Sequence, residues 1–187
     1  MTGRRVPERD AAGAHAPCRL AGCDSITRVT AQIRDYRSLD EEDVLHLSLR
    51  AWAPVFASLE QSLGPEIFLR LYGEWRQHQA TAVRNTLNGS EMQVWVAEAE
   101  RGLVGFVAAT LRSEIVGEIE MLAVDPDDQG QGTGSALTKH ATAWLRDRGM
   151  RVAVVETGGD PGHAPARRVY QRAGYTLLPV ARYFMAL

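Results

Sequence analysis

The stretch DPDDQGQGTGSAL, from Asp125 to Leu137, decides the fold of this chain. An apolar run, IEMLAV, precedes it, and the residues that follow, ALTKHATAWLRDR, have apolar positions at helical spacing. Gly130, Gly132 and Gly134 lie where the helix begins. The first N–H groups of a helix have no partner within the helix and lie at its positive end, so they attract anions. Glycines let a phosphate approach these groups because no Cβ is in the way.

Two common phosphate-binding loops do not fit this stretch. A Walker loop ends in Gly-Lys followed by Ser or Thr, whereas Gly134 is followed by Ser and Ala. A dinucleotide-binding loop has the pattern G-x-G-x-x-G/A directly after a strand, and its last position falls here on Ser135 or Leu137. An ordinary glycine-rich turn between a strand and a helix is the simplest alternative.

The pattern that fits is Q/R-x-x-G-x-G/A, with Gln129, Gly132 and Gly134 at its fixed positions after a strand ending in Val-Asp-Pro. Here the chain resembles the GNAT superfamily of acyl-CoA-dependent N-acetyltransferases. In that family the loop binds the pyrophosphate of coenzyme A through backbone amides. The resemblance implies cofactor contacts from Gln129, Gly130, Gln131, Gly132, Thr133, Gly134 and Ser135.

A second segment, HAPARRVYQRAGY, is similar to the family pattern N-x-x-A-x-x-x-Y-x-x-x-G-F/Y. The matching positions are Ala166, Tyr170, Gly174 and Tyr175. His163 departs from the pattern, since the family commonly has Asn there, but an imidazole can still hydrogen-bond near the cofactor in a different geometry. The resemblance therefore adds His163, Ala166 and Tyr170 to the cofactor site. It covers residues 26–187.

Composition limits the class of protein. The chain has 187 residues, of which 45% are hydrophobic and 24% charged, as in one soluble domain. A net charge of -2 gives no general attraction to nucleic acid or to an anionic membrane. Residues 1–25, rich in charge, Pro, Gly and Ala, are expected to be a disordered tail. They contain both cysteines, Cys18 and Cys23. Together with His15 these could give three metal ligands, but a fourth is missing and the spacing fits no strong zinc pattern. We therefore expect free thiols, no metal and a cytoplasmic protein.

Helices are predicted on both sides of a run of strands. A strand at residues 27–36 leads to a capping box at Ser38 and Glu41, and the helix that follows ends at Pro54. A second helix begins near Pro65 and continues to Asn88.

The strands predict a mixed, mostly antiparallel sheet. MQVWVAEAE, GLVGFVAATL and VGEIEMLAV form an antiparallel meander. The third of these strands, the glycine loop, the next helix and RVAVVET then form a parallel β-loop-α-β unit. A short helix ends at Gly174, and YTLL and ARYFMAL are two final strands interrupted by Pro179. We therefore expect a single α/β (α+β) domain at residues 26–187, of GNAT type by resemblance, with helices flanking the sheet.

Two carboxylates are candidates for the general base. Glu118 and Glu120 alternate on a predicted strand, so they point to the same face and must meet water, a cation or a substrate. One of them can take the proton of an amine, directly or through water. A solvated or salt-bridged pair is an equally good interpretation of either residue. The resemblance favours Glu118, because the family often places its base on this strand.

The resemblance also implies the remaining roles in the reaction. Tyr170 is the acid that protonates the departing thiolate, although an aromatic residue on this helix face is often simply part of the core. The backbone of Leu122, Ala123 and Val124 binds the pantetheine arm of the co-substrate. The amine attacks acetyl-CoA directly, with no covalent enzyme intermediate.

The acceptor is not identified by the sequence. It is a small-molecule or peptide amine: polyamine, aminoglycoside, amino acid and protein N-terminus all stay open. Trp52, Phe56, Tyr72 and Trp75 could line its pocket, but their helical spacing is equally explained by core packing. The alternative function is a non-enzymatic acyl-CoA-binding sensor or regulatory module. A homodimer is compatible with either function, and we expect no nucleic-acid or membrane partner.

Overall fold

The sheet of this protein has strands that lie side by side in chain order. In the computed structural model, which describes residues 31–187, the strands are β1 (Gln32–Asp35), β2 (Gln93–Ala99), β3 (Gly102–Leu111), β4 (Val116–Val124) and β5 (Val152–Val155). Neighbours from β1 to β4 are antiparallel, and β5 is parallel to β4. The prediction of a mixed, mostly antiparallel sheet in an α/β domain is confirmed.

Helices cover both faces of the sheet. Residues 31–187 form α1 (Glu41–Leu63), α2 (Pro65–Tyr72), α3 (Trp75–Leu87), α4 (Thr133–Asp147) and α5 (Ala164–Arg172). On one face, Val44 of α1 and Val83 of α3 are buried in one cluster with Phe106 of β3. On the other face, Leu137 of α4 packs in a second cluster with Val107 of β3. No helix within residues 31–187 combines the length and apolar composition needed to cross a lipid bilayer.

β4 and β5 are hydrogen-bonded neighbours over only a short region. Their parallel pairing joins residues 116–119 to residues 152–155, where β5 ends. β4 continues to Val124 and pairs there with β3 alone. Residues 120–124 therefore have a backbone edge with no strand beside it in the described chain. We call the region between this edge and residues 156–163 the β4–β5 opening.

Two helix predictions need correction. The sequence predicts that Pro54 ends the first helix, but α1 continues past it through buried Phe56 and Ser58. Packing of these residues offsets the hydrogen bond that a proline removes from a helix interior. The helix predicted from Pro65 onward is interrupted at Gly73, which gives α2 and α3 instead of one helix.

The start of α1 also differs from the prediction. A 3-10 turn, Ser38–Asp40, precedes the helix, and the predicted pairing of Ser38 with Glu41 is not formed. Asp40 instead accepts hydrogen bonds from the backbone N–H of Arg37 (2.8 Å) and from the guanidinium of Arg34 (2.7 Å). The ion pair with β1 therefore determines how the chain enters α1.

The predictions for the two ends of the chain have different outcomes. The predicted tail at residues 1–25, both cysteines and the first residues of the predicted strand at 27–36 lie outside the described residues. The two final strands are not formed: residues 176–187 make no backbone–backbone hydrogen bond within the described chain. Aromatic and β-branched residues favour strands, but a strand also needs a neighbouring backbone, and Pro179 has no N–H to donate to one.

Candidate active site

The glycine loop joins the end of β4 to α4 in an open conformation. Asp125 begins a tight turn by accepting the backbone N–H of Asp127 (3.0 Å). Gly130 and Gly132 have φ values of 79° and 98°, in the left-handed region that favours glycine. A Cβ built on either residue would have no atom within 4 Å. The loop therefore exposes its backbone and leaves free space above it.

The first turn of α4 has unpaired N–H groups. Ala136 is the first residue of the turn whose N–H is bonded, to the carbonyl of Gly132 at 2.9 Å. No side chain caps the helix, so the N–H groups of Thr133, Gly134 and Ser135 have no partner within residues 31–187. Three unpaired donors at the positive end of a helix fit an anionic group such as a pyrophosphate.

The loop lies next to the β4–β5 opening. A Cβ built on Gly134 would lie 3.6 Å from the side chain of Val124 on β4 and 3.7 Å from that of Val169 on α5. The side-chain amide of Gln129 donates to the carbonyl of Val124 (3.1 Å) and so ties the loop to the strand end. The end of β4, the glycine loop and α5 therefore meet at Gly134.

Arginines that sequence reasoning missed hold the acidic half of the loop. Arg50 of α1 binds Asp125 and Asp127, each at 2.8 Å, and Arg101 binds Asp128. The hydrogen bond from Arg50 keeps the pKa of Asp127 below its usual value. No local pattern could have shown these pairs, because Arg50 lies 75 positions from Asp125 in the chain.

Tyr170 is buried on α5 beside Tyr175. Tyr170 is only 8% exposed, and within residues 31–187 its hydroxyl has no hydrogen-bond partner. Burial, with a smaller contribution from Tyr175, raises the pKa of Tyr170 to about 12. The phenol therefore keeps its proton at neutral pH and has that proton free to donate.

Glu118 and Glu120 share one cationic partner. Arg112, at the end of the β3–β4 hairpin, binds both carboxylates through its guanidinium. A register shift in the β3–β4 ladder between Ala108 and Ala109 places a bulge at Glu120. Both side chains are partly exposed, at 19% and 30%. The geometry matches a salt-bridged pair in which Arg112 binds one oxygen, Oε2, of each carboxylate.

His163 lies in a cluster with Asp160 and Ser58, of which the sequence analysis identified only His163. It ends a 3-10 turn, Pro161–His163, just before α5, and its Nδ1 bonds the carboxylate of Asp160. Ser58 of α1 donates to the other oxygen of Asp160 at 2.8 Å and accepts the backbone N–H of Gly162 at 2.8 Å. Burial opposes ionisation of Asp160, but hydrogen bonds from Ser58 and His163 outweigh it and lower the pKa.

The aromatic residues proposed for an acceptor pocket pack against one another. Phe56 stacks on Trp75 with ring centroids 4.3 Å apart, and Tyr72 meets Phe56 edge-on at 5.8 Å. Trp52 lies 6.4 Å from Phe106 of the sheet. These contacts match the core-packing interpretation. Within residues 31–187, no group of three His, Cys, Asp or Glu side chains is arranged to hold a metal ion.

Comparison with known proteins identifies the family. The model of the Acetyltransferase (GNAT) family matches residues 56–175, so the chain belongs to this family. A mycothiol acetyltransferase of Thermomonospora curvata is 26% identical over 167 residues, which are 84% of this chain and 55% of the relative. One of Cellulomonas flavigena is 48% identical over 62 residues, which are 33% of this chain and 17% of the relative. The chain spans about half or less of the length of these relatives.

Solved structures share the fold. A GNAT-family protein from Desulfovibrio desulfuricans superposes with a TM-score of 0.61 at 21% identity, over 80% of this chain and 87% of that one. The aminoglycoside N-acetyltransferase AAC(6')-Iy in complex with CoA has a TM-score of 0.53 at 17% identity, over 83% and 93%.

Proposed function

We propose that this chain transfers the acetyl group of acetyl-CoA to a primary amine of a small molecule. The observation that carries the proposal is the β4–β5 opening with the uncapped first turn of α4 at its end. The N–H groups of residues 133–135 would bind the pyrophosphate. The free edge of residues 122–124 would bind the pantetheine arm and direct the thioester into the opening. The first turn of α4 fits the co-substrate because its N–H groups are unpaired, and the strand end fits because no strand lies beside it in the described chain.

The reaction in this proposal is a direct acyl transfer. The amine nitrogen bonds to the thioester carbon, the C–S bond breaks, and the sulfur leaves as a thiolate. Tyr170 supplies a proton to that sulfur, since burial keeps its hydroxyl protonated. The amine loses its own proton to a base, for which Glu118 and Glu120 are the candidates on β4.

The names of similar proteins support a small-molecule acceptor in this proposal. The curated relatives are named for mycothiol, and one structural neighbour is named for aminoglycosides. These names favour a small polar amine over the N-terminus of a protein. Their identities with this chain are too low to carry either acceptor over to it.

A second candidate function is a non-enzymatic acyl-CoA-binding module. The observation that favours it is the ion pairing of both candidate bases with Arg112. Such a module would use the glycine loop in the same way but would need no proton-transfer groups.

Two measurements separate these functions. Calorimetric titration with acetyl-CoA tests binding, and release of free thiol tests turnover against polyamines, aminoglycosides, amino acids, a peptide and the amine substrate of mycothiol acetyltransferase. Binding with turnover of a small amine supports the enzyme. Binding without turnover of any amine supports the sensor, and absence of binding would overturn both.

A further inference from the structure

A buried carboxylate holds His163 in one orientation. Asp160 has a side chain that is 7% exposed, and its two oxygens bond different partners: Nδ1 of His163 and the hydroxyl of Ser58. The backbone N–H of Gly162 also donates to Asp160, at 3.0 Å. Arg167 of α5 donates to the carbonyls of Gly158 and Asp160 rather than to the carboxylate. Among the charged groups of the described residues, Asp160 is therefore the only one that bonds the imidazole of His163.

This arrangement fixes the tautomer of the imidazole. An ionised carboxylate can only accept hydrogen bonds, and the lowered pKa of Asp160 keeps it ionised at neutral pH. Nδ1 of His163 must therefore carry the hydrogen, which leaves Nε2 of the neutral ring as an acceptor. Within residues 31–187, Nε2 makes no hydrogen bond, and the side chain is 20% exposed.

His163 lies at the start of the helix that carries Tyr170. It belongs to residues 156–163, which follow the end of β5, and it comes directly before α5. It precedes Tyr170, which lies on that helix, by seven positions in the chain. A nitrogen that attacks and a sulfur that leaves lie on either side of one carbonyl carbon, and each needs a proton-transfer group at about 3 Å.

We propose that His163, oriented by Asp160 and Ser58, accepts the proton of the attacking amine. As the N–C bond forms, Nε2 takes the amine proton; as the C–S bond breaks, the sulfur takes the proton of Tyr170. Solvent then removes the proton from the imidazolium and returns one to Tyr170. This role rests on the proposed acetyltransferase function. It assigns the base to a group whose acceptor nitrogen has no partner among residues 31–187, whereas Glu118 and Glu120 each give one carboxylate oxygen to the same cation, Arg112.

Three variants test the proposal. His163→Asn introduces the residue that the family commonly has, so it preserves a hydrogen bond to the co-substrate but cannot take a proton. Asp160→Asn can donate to Nδ1 and so moves the ring hydrogen to Nε2, which removes the acceptor. Gly159→Ala is the matched control, because a Cβ there would have no atom within 4 Å.

The expected results separate catalysis from structure. His163→Asn and Asp160→Asn should lower the single-turnover rate by about 10²–10⁴-fold with acetyl-CoA affinity within about twofold, while the control stays at the wild-type rate. A His163→Asn variant with the wild-type rate would overturn the proposal.

A measurement on the ring itself does not depend on turnover. Long-range ¹⁵N NMR should show the Nδ1–H tautomer in the wild type and the Nε2–H tautomer in Asp160→Asn, and acetyl-CoA should shift the Nε2 signal. An Nε2 chemical shift that does not change when acetyl-CoA is added would overturn the proposed position of His163 in the active site. A wild type that acetylates no amine would overturn the proposed function instead, and the two failures are thus distinguishable.

Discussion

At the scale of single residues, Tyr170 gives the sharpest test. Tyr170→Phe keeps the buried ring and removes a hydroxyl that has no partner in the described chain, so stability should stay within about 0.5 kcal/mol of wild type. If the hydroxyl protonates the thiolate, the single-turnover rate should fall by about 10²–10⁴-fold. Acetyl-CoA affinity should be unchanged, because the proton is needed only as the C–S bond breaks. A single-turnover rate equal to wild type would leave Tyr170 as a core residue.

The pairing of Glu118 and Glu120 with Arg112 predicts small effects. Glu118→Gln and Glu120→Gln should each lower the single-turnover rate by less than about 10-fold, well below the loss expected for a general base. Rates measured across pH for both variants check this. A larger loss in Glu118→Gln, which shrinks as pH rises toward the pKa of the amine, would return the role of base to Glu118.

The sequence suggests which residues are candidates for the site, but it does not show which residues they contact. The sequence motifs point to Tyr170 and His163 because short patterns carry them. Asp160 lies three positions before His163, but Ser58 lies 102 positions before Asp160, and only the fold brings it there. Arg112 was missed for a different reason, since a charged residue at a hairpin end is usually solvated.

At the scale of elements, the first turn of α4 can be tested through two opposing effects. Ser135→Glu places a negative charge near the positive end of the helix, which should stabilise the protein by about 0.3–1 kcal/mol. The same charge should repel the pyrophosphate and weaken acetyl-CoA binding at least about 10-fold. Denaturant unfolding and calorimetry measure the two effects, with Ser135→Gln as the neutral control. Equal affinities of the Glu and Gln variants would place the phosphates elsewhere.

The contact between the 3-10 turn at Pro161–His163 and α1 depends on a glycine. A Cβ on Gly162 would lie 2.7 Å from the Cβ of Ser58 and 3.0 Å from the Cα of Val55. Gly162→Ala should therefore push the turn off α1 and lower the free energy of unfolding by about 1–3 kcal/mol. In Gly159→Ala, chemical denaturation should show a change within about 0.5 kcal/mol. Equal stability of the two variants would mean that the turn does not pack tightly on α1.

Elements defined by local pattern were predicted well. The order β4, glycine loop, α4 and β5 follows from an apolar run, alternate glycines and helical spacing, all within one stretch of chain. The continuation of α1 past Pro54 was not predicted, because it depends on how Phe56 packs against Trp75 of α3. Propensity gives way to tertiary packing at such positions.

At the scale of the whole molecule, the last residues of the chain stand apart from the domain. Leu178, Val180 and Tyr183 are each at least 80% exposed. Residues 184–187 border an open groove beside α2. Tyr175 marks the limit of the packed domain, because its hydroxyl bonds Thr142 of α4 at 2.8 Å.

Truncation tests whether this segment contributes to the fold. A chain that ends at Thr176 should unfold at the same denaturant midpoint as the full chain, and the amides of residues 177–187 should exchange without protection. A chain that ends at Gly174 is the control: it loses Tyr175, its bond to Thr142 and its contact with Tyr170, and should unfold at a clearly lower midpoint. Protected amides at residues 177–187, with a lower midpoint for the chain that ends at Thr176, would contradict this picture. That result would mean that the segment pairs with a strand edge, as its sequence predicts, and the outer strands β1 and β5 are the edges of the sheet.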